Sequence, residues 1–224
     1  RAYSINDGKE IWARKTQGSL IRSQKRLSLV ILNEKIYFNN SLGDISAIDI
    51  NNGNLLWQTP TQSSLAFDTG FFLKTSDVVA DKEALFFSNN QNQFFSLDIQ
   101  TGNLNWKQEI NSNLRPVIIN DFIFTISLEG YLIILEKNTG NIIRSNYLLN
   151  QFKAKNRPKI KPTGFIIGNK NIYLSSNIGR LLVIDIANGE TKTILKIDNK
   201  KISRPAIFNK NLYLITDNSI IKLN

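Results

Sequence analysis

The chain has 224 residues, 42% of them hydrophobic, which is enough to bury a sizeable core. It contains no cysteine and no histidine, which excludes disulfides, thiolate nucleophiles, the usual zinc sites and histidine-based acid–base catalysis. No run of about 18 apolar residues occurs, so no membrane-spanning helix is predicted. The net charge of +10 comes from lysines scattered among asparagines without a basic–aromatic module, and we therefore expect no nucleic-acid partner.

The chain opens with the end of a unit that recurs throughout. Residues 2–5 alternate as in a strand, residues 6–8 form a turn ending in glycine, and residues 10–13 pair back, with a tryptophan four positions beyond the glycine. The pattern returns at intervals of 38 to 49 residues, which is typical of a propeller or a related array of short strands. The turn glycines are Gly8, Gly53, Gly102, Gly140 and Gly189, and the tryptophans are Trp12, Trp57 and Trp106.

Four complete units and one unfinished unit follow the first hairpin. Each complete unit contains four apolar, strand-length runs, and the run at residues 27–32 is continuous enough to predict a strand buried on both faces. The predicted strands are 27–32, 36–38, 45–50 and 55–57; 77–80, 84–87, 94–98 and 104–106; 115–119, 122–126, 131–135 and 142–144; and 164–167, 172–174, 181–184 and 191–194. The last unit has only 204–208, 211–215 and 219–223, which leaves an apolar edge, and we expect a segment upstream of Arg1 to supply the missing strand.

Three connections depart from the repeat and are candidate contact surfaces. They cover residues 17–26, 61–75 and 152–162, and the last carries five cationic residues and two prolines, which predicts an exposed, extended loop. Insertions in repeat proteins commonly map to loops that bind partners. The alternative is drift in loop length without a function.

The repeated tryptophans have an evident structural role. Because a propeller blade cannot bury its faces alone, we expect Trp12, Trp57 and Trp106 to dock between blades, each indole N–H bonding a backbone carbonyl. The alternative is a stacking platform for carbohydrate or bases. Arg144 and Thr193 replace tryptophan in two units, where we expect looser packing.

Three aspartates recur just before the turns, at Asp49, Asp98 and Asp185. Carboxylates could serve a metal site or general-acid chemistry, but these lie about one unit apart, and we expect each to bond the amides of its own turn. The sequence also has no phosphate-binding glycine loop and no nucleophile elbow. No catalytic, cofactor-binding or metal-binding residue is therefore predicted.

The repeated motif resembles the repeats named after pyrroloquinoline-quinone (PQQ) enzymes, in which tryptophans dock between blades. Residues 47–57 carry the pattern, and residues 96–106, with Asp98, Gly102 and Trp106, match it best. The resemblance implies an all-β fold, a β-propeller of four-stranded blades, with four complete blades and two partial ones. It does not fix the chemistry, because one fold serves many functions.

Two families with these repeats are alternatives. Quinoprotein dehydrogenases hold calcium and the quinone with an acidic residue, an asparagine and often a vicinal cysteine pair, and this chain has no cysteine. The BamB family, propeller lipoproteins of the outer-membrane β-barrel assembly machinery, is similar at residues 147–152, 179–185, 203–206 and 211–217. The repetition along the chain predicts a single domain over residues 1–224. The BamB resemblance implies an eight-bladed ring, whose remaining blades, about three, and lipidated N-terminus would precede Arg1.

The BamB resemblance implies a non-catalytic scaffold on the periplasmic side of the outer membrane of a Gram-negative bacterium. It would bind the barrel subunit of the assembly complex through loops on one face, as a monomer within a hetero-complex and without a cofactor. Its contact with the membrane would be limited to the upstream lipid anchor. The alternatives are a PQQ-dependent periplasmic oxidoreductase and a PQQ-repeat module with another protein partner.

Overall fold

A computed structural model describes residues 1–15, 28–40, 44–61, 75–89 and 91–223. These residues form β-strands and one short 3-10 helix, Ala154–Lys159. The chain divides into two compact units, residues 1–113 and 114–224. No helix within the described ranges is long and apolar enough to cross a membrane.

Unit 1 contains one hairpin and two four-stranded antiparallel sheets. In each four-stranded sheet, neighbouring strands are consecutive in the chain. Sheet 1 comprises β1 (Ala2–Tyr3) and β2 (Glu10–Trp12); sheet 2 comprises β3 (Leu29–Leu32), β4 (Lys35–Asn39), β5 (Ile45–Asp49) and β6 (Leu55–Thr59); sheet 3 comprises β7 (Val79–Ala80), β8 (Ala84–Ser88), β9 (Gln93–Asp98) and β10 (Leu104–Glu109).

Unit 2 repeats this arrangement in two four-stranded sheets and one three-stranded sheet. Sheet 4 comprises β11 (Val117–Ile119), β12 (Phe122–Ile126), β13 (Tyr131–Glu136) and β14 (Ile142–Tyr147); sheet 5 comprises β15 (Pro162–Gly168), β16 (Asn171–Ser176), β17 (Arg180–Asp185) and β18 (Thr191–Lys196); sheet 6 comprises β19 (Ala206–Phe208), β20 (Asn211–Ile215) and β21 (Ile220–Leu223). The predicted all-β class and the four complete and two partial blades are confirmed.

Several strands are shorter than the sequence predicts, and for two of them the structure shows a local reason. The strand predicted at 115–119 begins at Val117, because Pro116 has no N–H for the ladder. The strand predicted at 77–80 begins at Val79, and the backbone N–H of Val78 donates instead to Ser28 Oγ at 3.0 Å.

The prediction that the first long apolar run is buried on both faces is wrong. Leu29 and Ile31 are each 58% exposed, whereas Val30 and Leu32 pack against the core of unit 1. Successive side chains of a strand point to opposite faces, so only alternate residues of β3 reach that core.

Each unit buries its sheets against one another. In unit 1, Tyr37 and Ala47 of sheet 2 join Leu85, Phe87 and Leu97 of sheet 3 in one cluster. In unit 2, one cluster combines residues of sheets 4 and 5, and a second combines residues of sheets 5 and 6: Phe124, Ile134, Phe165, Leu174 and Leu182 in the first, and Leu181, Leu212 and Leu214 in the second. The stabilising apolar surface therefore lies between neighbouring sheets.

The turn before the last strand has the same geometry in sheets 1 to 5, each of which contains one of the five turn glycines. The glycine N–H donates to the carbonyl four residues earlier at 2.9 Å, and the glycine φ lies between 70° and 75°, a region that disfavours side chains with a Cβ. As expected, the carboxylates of Asp49, Asp98 and Asp185 accept bonds from their own turn amides.

The turn carboxylate of Asp98 generates a pH prediction. The Thr101 hydroxyl and backbone amide donate to it at 2.7 Å each and hold its pKa below the usual range. A carboxyl whose pKa is lower in the folded state stabilises the protein above its unfolded pKa, about 3.9, and this stabilisation is lost as the pH falls through the folded value. Asp98→Asn should therefore lower the free energy of unfolding at about pH 6, and the difference from wild type should shrink as the pH falls through the folded pKa of Asp98. Urea unfolding across this range measures both, and a difference independent of pH would contradict the assignment.

Candidate functional site

A β-bulge precedes the docking position in each of sheets 1 to 5, the sheets that contain a turn glycine. The strand register skips one residue of the last strand immediately before Trp12, Trp57, Trp106, Arg144 or Thr193. The skipped residues are Ile11, Leu56, Asn105, Ile143 and Lys192. Because a bulge changes the direction in which the following side chain points, it sets the orientation of the docking residue.

Trp12 docks on the turn of sheet 2. Its indole N–H donates to the carbonyl of Ile50 at 2.9 Å, the kind of partner that the sequence predicts. A Cβ built on Gly53 would lie only 2.5 Å from Trp12 Cε3, so the ring occupies the space that a side chain would need. The glycine is therefore required both for its positive φ and for the approach of the indole.

Trp57 makes the equivalent contact with the turn of sheet 3. A Cβ on Gly102 would lie 2.5 Å from Trp57 Cε3, and Thr59 Oγ1 donates to the Gly102 carbonyl at 2.7 Å. Tyr37 lies beside the indole, with ring centroids 6.0 Å apart. The buried Trp57 N–H has no acceptor among the described residues, unlike that of Trp12.

The remaining predicted residues are Trp106, Gly8 and Gly140. Trp106 packs within its own sheet against Phe86 and Phe94, with both centroid distances at 6.0 Å. Gly8 has no described atom within 4 Å of a Cβ built on it, and the Gly140 turn closes like the others.

Arg144 takes over the polar part of the tryptophan contact in unit 2. Its Nη1 donates to the carbonyl of Ala187 at 2.6 Å and lies 3.5 Å from that of Ile186, the residue that corresponds in the repeat to Ile50. Two positions further along β14, Asn146 Nδ2 donates to the Asn188 carbonyl at 3.3 Å. The Asn146 Cγ also lies 3.0 Å from a Cβ built on Gly189. From the sequence, Arg144 predicts only looser packing, and nothing in the sequence singles out Asn146 or Thr59 as docking residues.

Thr193, the other substitution for tryptophan, has no comparable role in the described structure. It is an exposed residue of β18 that pairs with Val183. Sheet 6 has no glycine turn within its described residues. The position is thus part of the sheet ladder without a docking contact.

One of the three candidate contact loops, residues 152–162, is described in full, and its predicted extended conformation is wrong. Residues 152–162 are largely exposed but not extended, because residues 154–159 form a 3-10 helix closed at its end by the Ile160 N–H to Arg157 carbonyl bond of 3.1 Å. The loop at 17–26 and residues 62–74 of the second loop lie outside the described residues. Within the described ranges, no group of three or more acidic side chains could hold a metal ion.

Gly53→Ala tests the docking contact against a matched control. Gly8 and Gly53 share a φ of 70°, but only the Gly53 position is filled by an indole. We expect Gly8→Ala to cost about 1 kcal/mol for backbone strain, and Gly53→Ala about 2 to 4 kcal/mol because it also displaces Trp12. Urea unfolding followed by tryptophan fluorescence measures both, and equal losses would contradict docking at Gly53.

Arg144→Ala tests the polar substitute for tryptophan. Removing its charged hydrogen bonds should lower the free energy of unfolding by about 1 to 2 kcal/mol. Arg115 is exposed and has no hydrogen-bond partner within the described structure, so Arg115→Ala should change stability by less than about 0.5 kcal/mol. Thermal unfolding of both variants measures the difference, and similar melting temperatures would contradict a docking role for Arg144.

Comparison with known proteins identifies relatives of this architecture. The sequence profile of the family described as outer membrane protein assembly factor BamB matches residues 1–146. Among curated protein sequences, none matches the chain.

Three solved structures share the fold at low sequence identity. BamB from Moraxella catarrhalis is 14% identical, with a TM-score of 0.60, over 98% of this chain and 76% of that one. The Cps50 (Swd1) β-propeller domain of Myceliophteria thermophila is 12% identical, with a TM-score of 0.68, over 90% and 65%. The computationally designed Ika8 protein is 15% identical, with a TM-score of 0.69, over 96% and 61%.

The chain therefore spans less than two thirds of the second and third of these proteins. Identities this low show the fold alone, whereas the family profile matches more than half of the chain. From this match and the repeated turn-and-docking geometry, the chain belongs to the PQQ-repeat β-propeller family of the outer membrane protein assembly factor BamB.

Proposed function

We propose that this protein is a non-catalytic scaffold of the outer-membrane β-barrel assembly complex. It binds the barrel subunit through loops on one face of the propeller, on the periplasmic side of the outer membrane, as a monomer within a hetero-complex. The observation that carries the proposal is the family match over residues 1–146.

The use of the repeated residues supports a scaffold. Asp49, Asp98 and Asp185 accept bonds from their own turns, and Trp12 and Trp57 cover the turn glycines of the next sheet. These groups stabilise the repeat, so the residues that differ between units are the better candidates for recognition. A rigid framework also reduces the entropy lost when its loops bind a partner.

The described loop at residues 152–162 is the candidate contact element that the structure supports best. It is exposed, yet both its ends are anchored, because Phe152 packs against the core cluster and Pro162 begins β15. The exposed side chains between these points can meet a partner without rearrangement of the sheet.

Co-purification tests the proposal. A tagged full-length chain, expressed in its own host at its natural level, should recover the barrel subunit of the assembly complex in a stable ratio. A tagged propeller of unrelated function serves as the control. Recovery of unrelated proteins without the barrel subunit would overturn the scaffold proposal.

A redox assay tests the alternative of a PQQ-dependent oxidoreductase. The purified full-length chain, supplied with PQQ, calcium and an artificial electron-accepting dye, should leave the dye oxidised across a panel of alcohols and sugars. A known quinoprotein dehydrogenase serves as the positive control. Substrate-dependent reduction of the dye would overturn the non-catalytic assignment.

A further inference from the structure

We infer that the loops at one end of unit 2 form a preorganised cationic surface that binds an acidic segment of a protein partner. This inference rests on the proposed function in taking the partner to be a protein, and it adds the location of the surface and the chemistry of the segment. The central element is residues 150–161, called here the basic segment.

The basic segment has a fixed conformation, because the side chain of Arg157 forms hydrogen bonds with backbone carbonyls of the same segment. Arg157 Nε donates to the Phe152 carbonyl at 2.9 Å, and its Nη2 donates to the Asn150 carbonyl at 2.8 Å. Its guanidinium carbon lies 5.9 Å from the centre of the Tyr147 ring, within cation–π range. Arg157 therefore holds the segment against β14, and its charge is already engaged.

Asn177, in the turn between β16 and β17, fixes the other end of the segment. Its Nδ2 donates to the Lys159 carbonyl at 3.0 Å, and its Oδ1 accepts from the Lys161 N–H at 2.7 Å. The Asn177 N–H also donates to the Lys161 carbonyl at 2.9 Å, and Ile160 between them is buried. The segment thus presents its side chains from a backbone that is hydrogen-bonded at both ends.

The lysines of the segment are exposed and available to a partner. No carboxylate within the described ranges forms an ion pair with their ammonium groups. These residues are Lys153, Lys155, Lys159 and Lys161. Four like charges on one ordered turn repel one another, and an anionic partner relieves this repulsion.

The excess of positive charge continues in the other loops at the same end of the strands of unit 2. The loops at this end contain eight cationic and three acidic residues, whereas those at the opposite end contain three and two. The basic end comprises loops 127–130, 148–161, 177–179, 197–205 and 216–219, and the opposite end comprises loops 120–121, 137–141, 169–170, 186–190 and 209–210. The Gly179 carbonyl joins the turn at 177–179 to the loop at 197–205, because it accepts from the N–H groups of Ile197 and Asp198 at 2.9 and 3.2 Å.

The side chains favour an acidic protein segment over a lipid surface. The basic segment has no large exposed apolar side chain to enter a membrane, because Phe152 packs against the core cluster and Ile160 is buried. Its exposed lysines, carried on a hydrogen-bonded backbone, suit the carboxylates of an extended acidic chain.

Peptide binding by charge-reversal variants of the full-length chain tests the inference. The probes are a fluorescent peptide of alternating glutamate and glycine, its glutamine counterpart, and vesicles containing phosphatidylglycerol. The test variant is Lys155→Glu with Lys159→Glu, and the control is Lys170→Glu with Lys210→Glu, which makes the same charge change with exposed lysines at the opposite end.

We expect the acidic peptide to bind, the glutamine peptide not to bind, and the test variant to weaken binding about tenfold at low salt. The control variant should stay within about twofold of wild type. Equal loss in both variants, or binding to the vesicles with no binding to the peptide, would overturn the inference.

The two proposals can fail separately. If the test variant still co-purifies with the barrel subunit as wild type does, the inferred surface is wrong and the scaffold proposal stands. If wild type fails to co-purify but binds the acidic peptide selectively, the scaffold proposal fails and the surface stands.

Discussion

The positive φ of the turn glycine is the constraint on which the repeat depends. The positive φ lets the glycine N–H close the turn on the carbonyl four residues earlier. Because glycine has no Cβ, the space above the turn stays open. The indole of the preceding sheet can then lie directly on the backbone, as Trp12 does at Gly53 and Trp57 at Gly102. One conformational choice thus fixes both the hairpin and the docking of its neighbour.

The docking contact combines an apolar and a polar component, and unit 2 separates them. Trp12 covers a glycine and bonds the Ile50 carbonyl, whereas Arg144 keeps the bonding to turn carbonyls without the aromatic ring. Asn146 covers Gly189 in its place. The turn carbonyls are common to both arrangements, because an unpaired carbonyl inside a contact is costly whichever side chain approaches it.

Because the repeated groups serve the architecture, recognition falls to residues outside the repeat. The basic segment shows how such an insertion stays ordered: Arg157 fixes it from within, and Asn177 fixes it from the adjoining turn. The remaining lysines are then free to act at long range on a charged partner. The proposed scaffold and its inferred acidic ligand follow from this division between structural and exposed charge.

The sequence alone determined the strand order, the turn glycines and the number of complete sheets, since alternation and turn chemistry are local properties. It did not reveal the bulges before the docking residues or the 3-10 conformation of the basic segment. Nor did it reveal the acceptors of Arg144, which lie 42 and 43 residues away. The tertiary structure decided these features, because each depends on hydrogen bonds and packing between residues that only folding brings together.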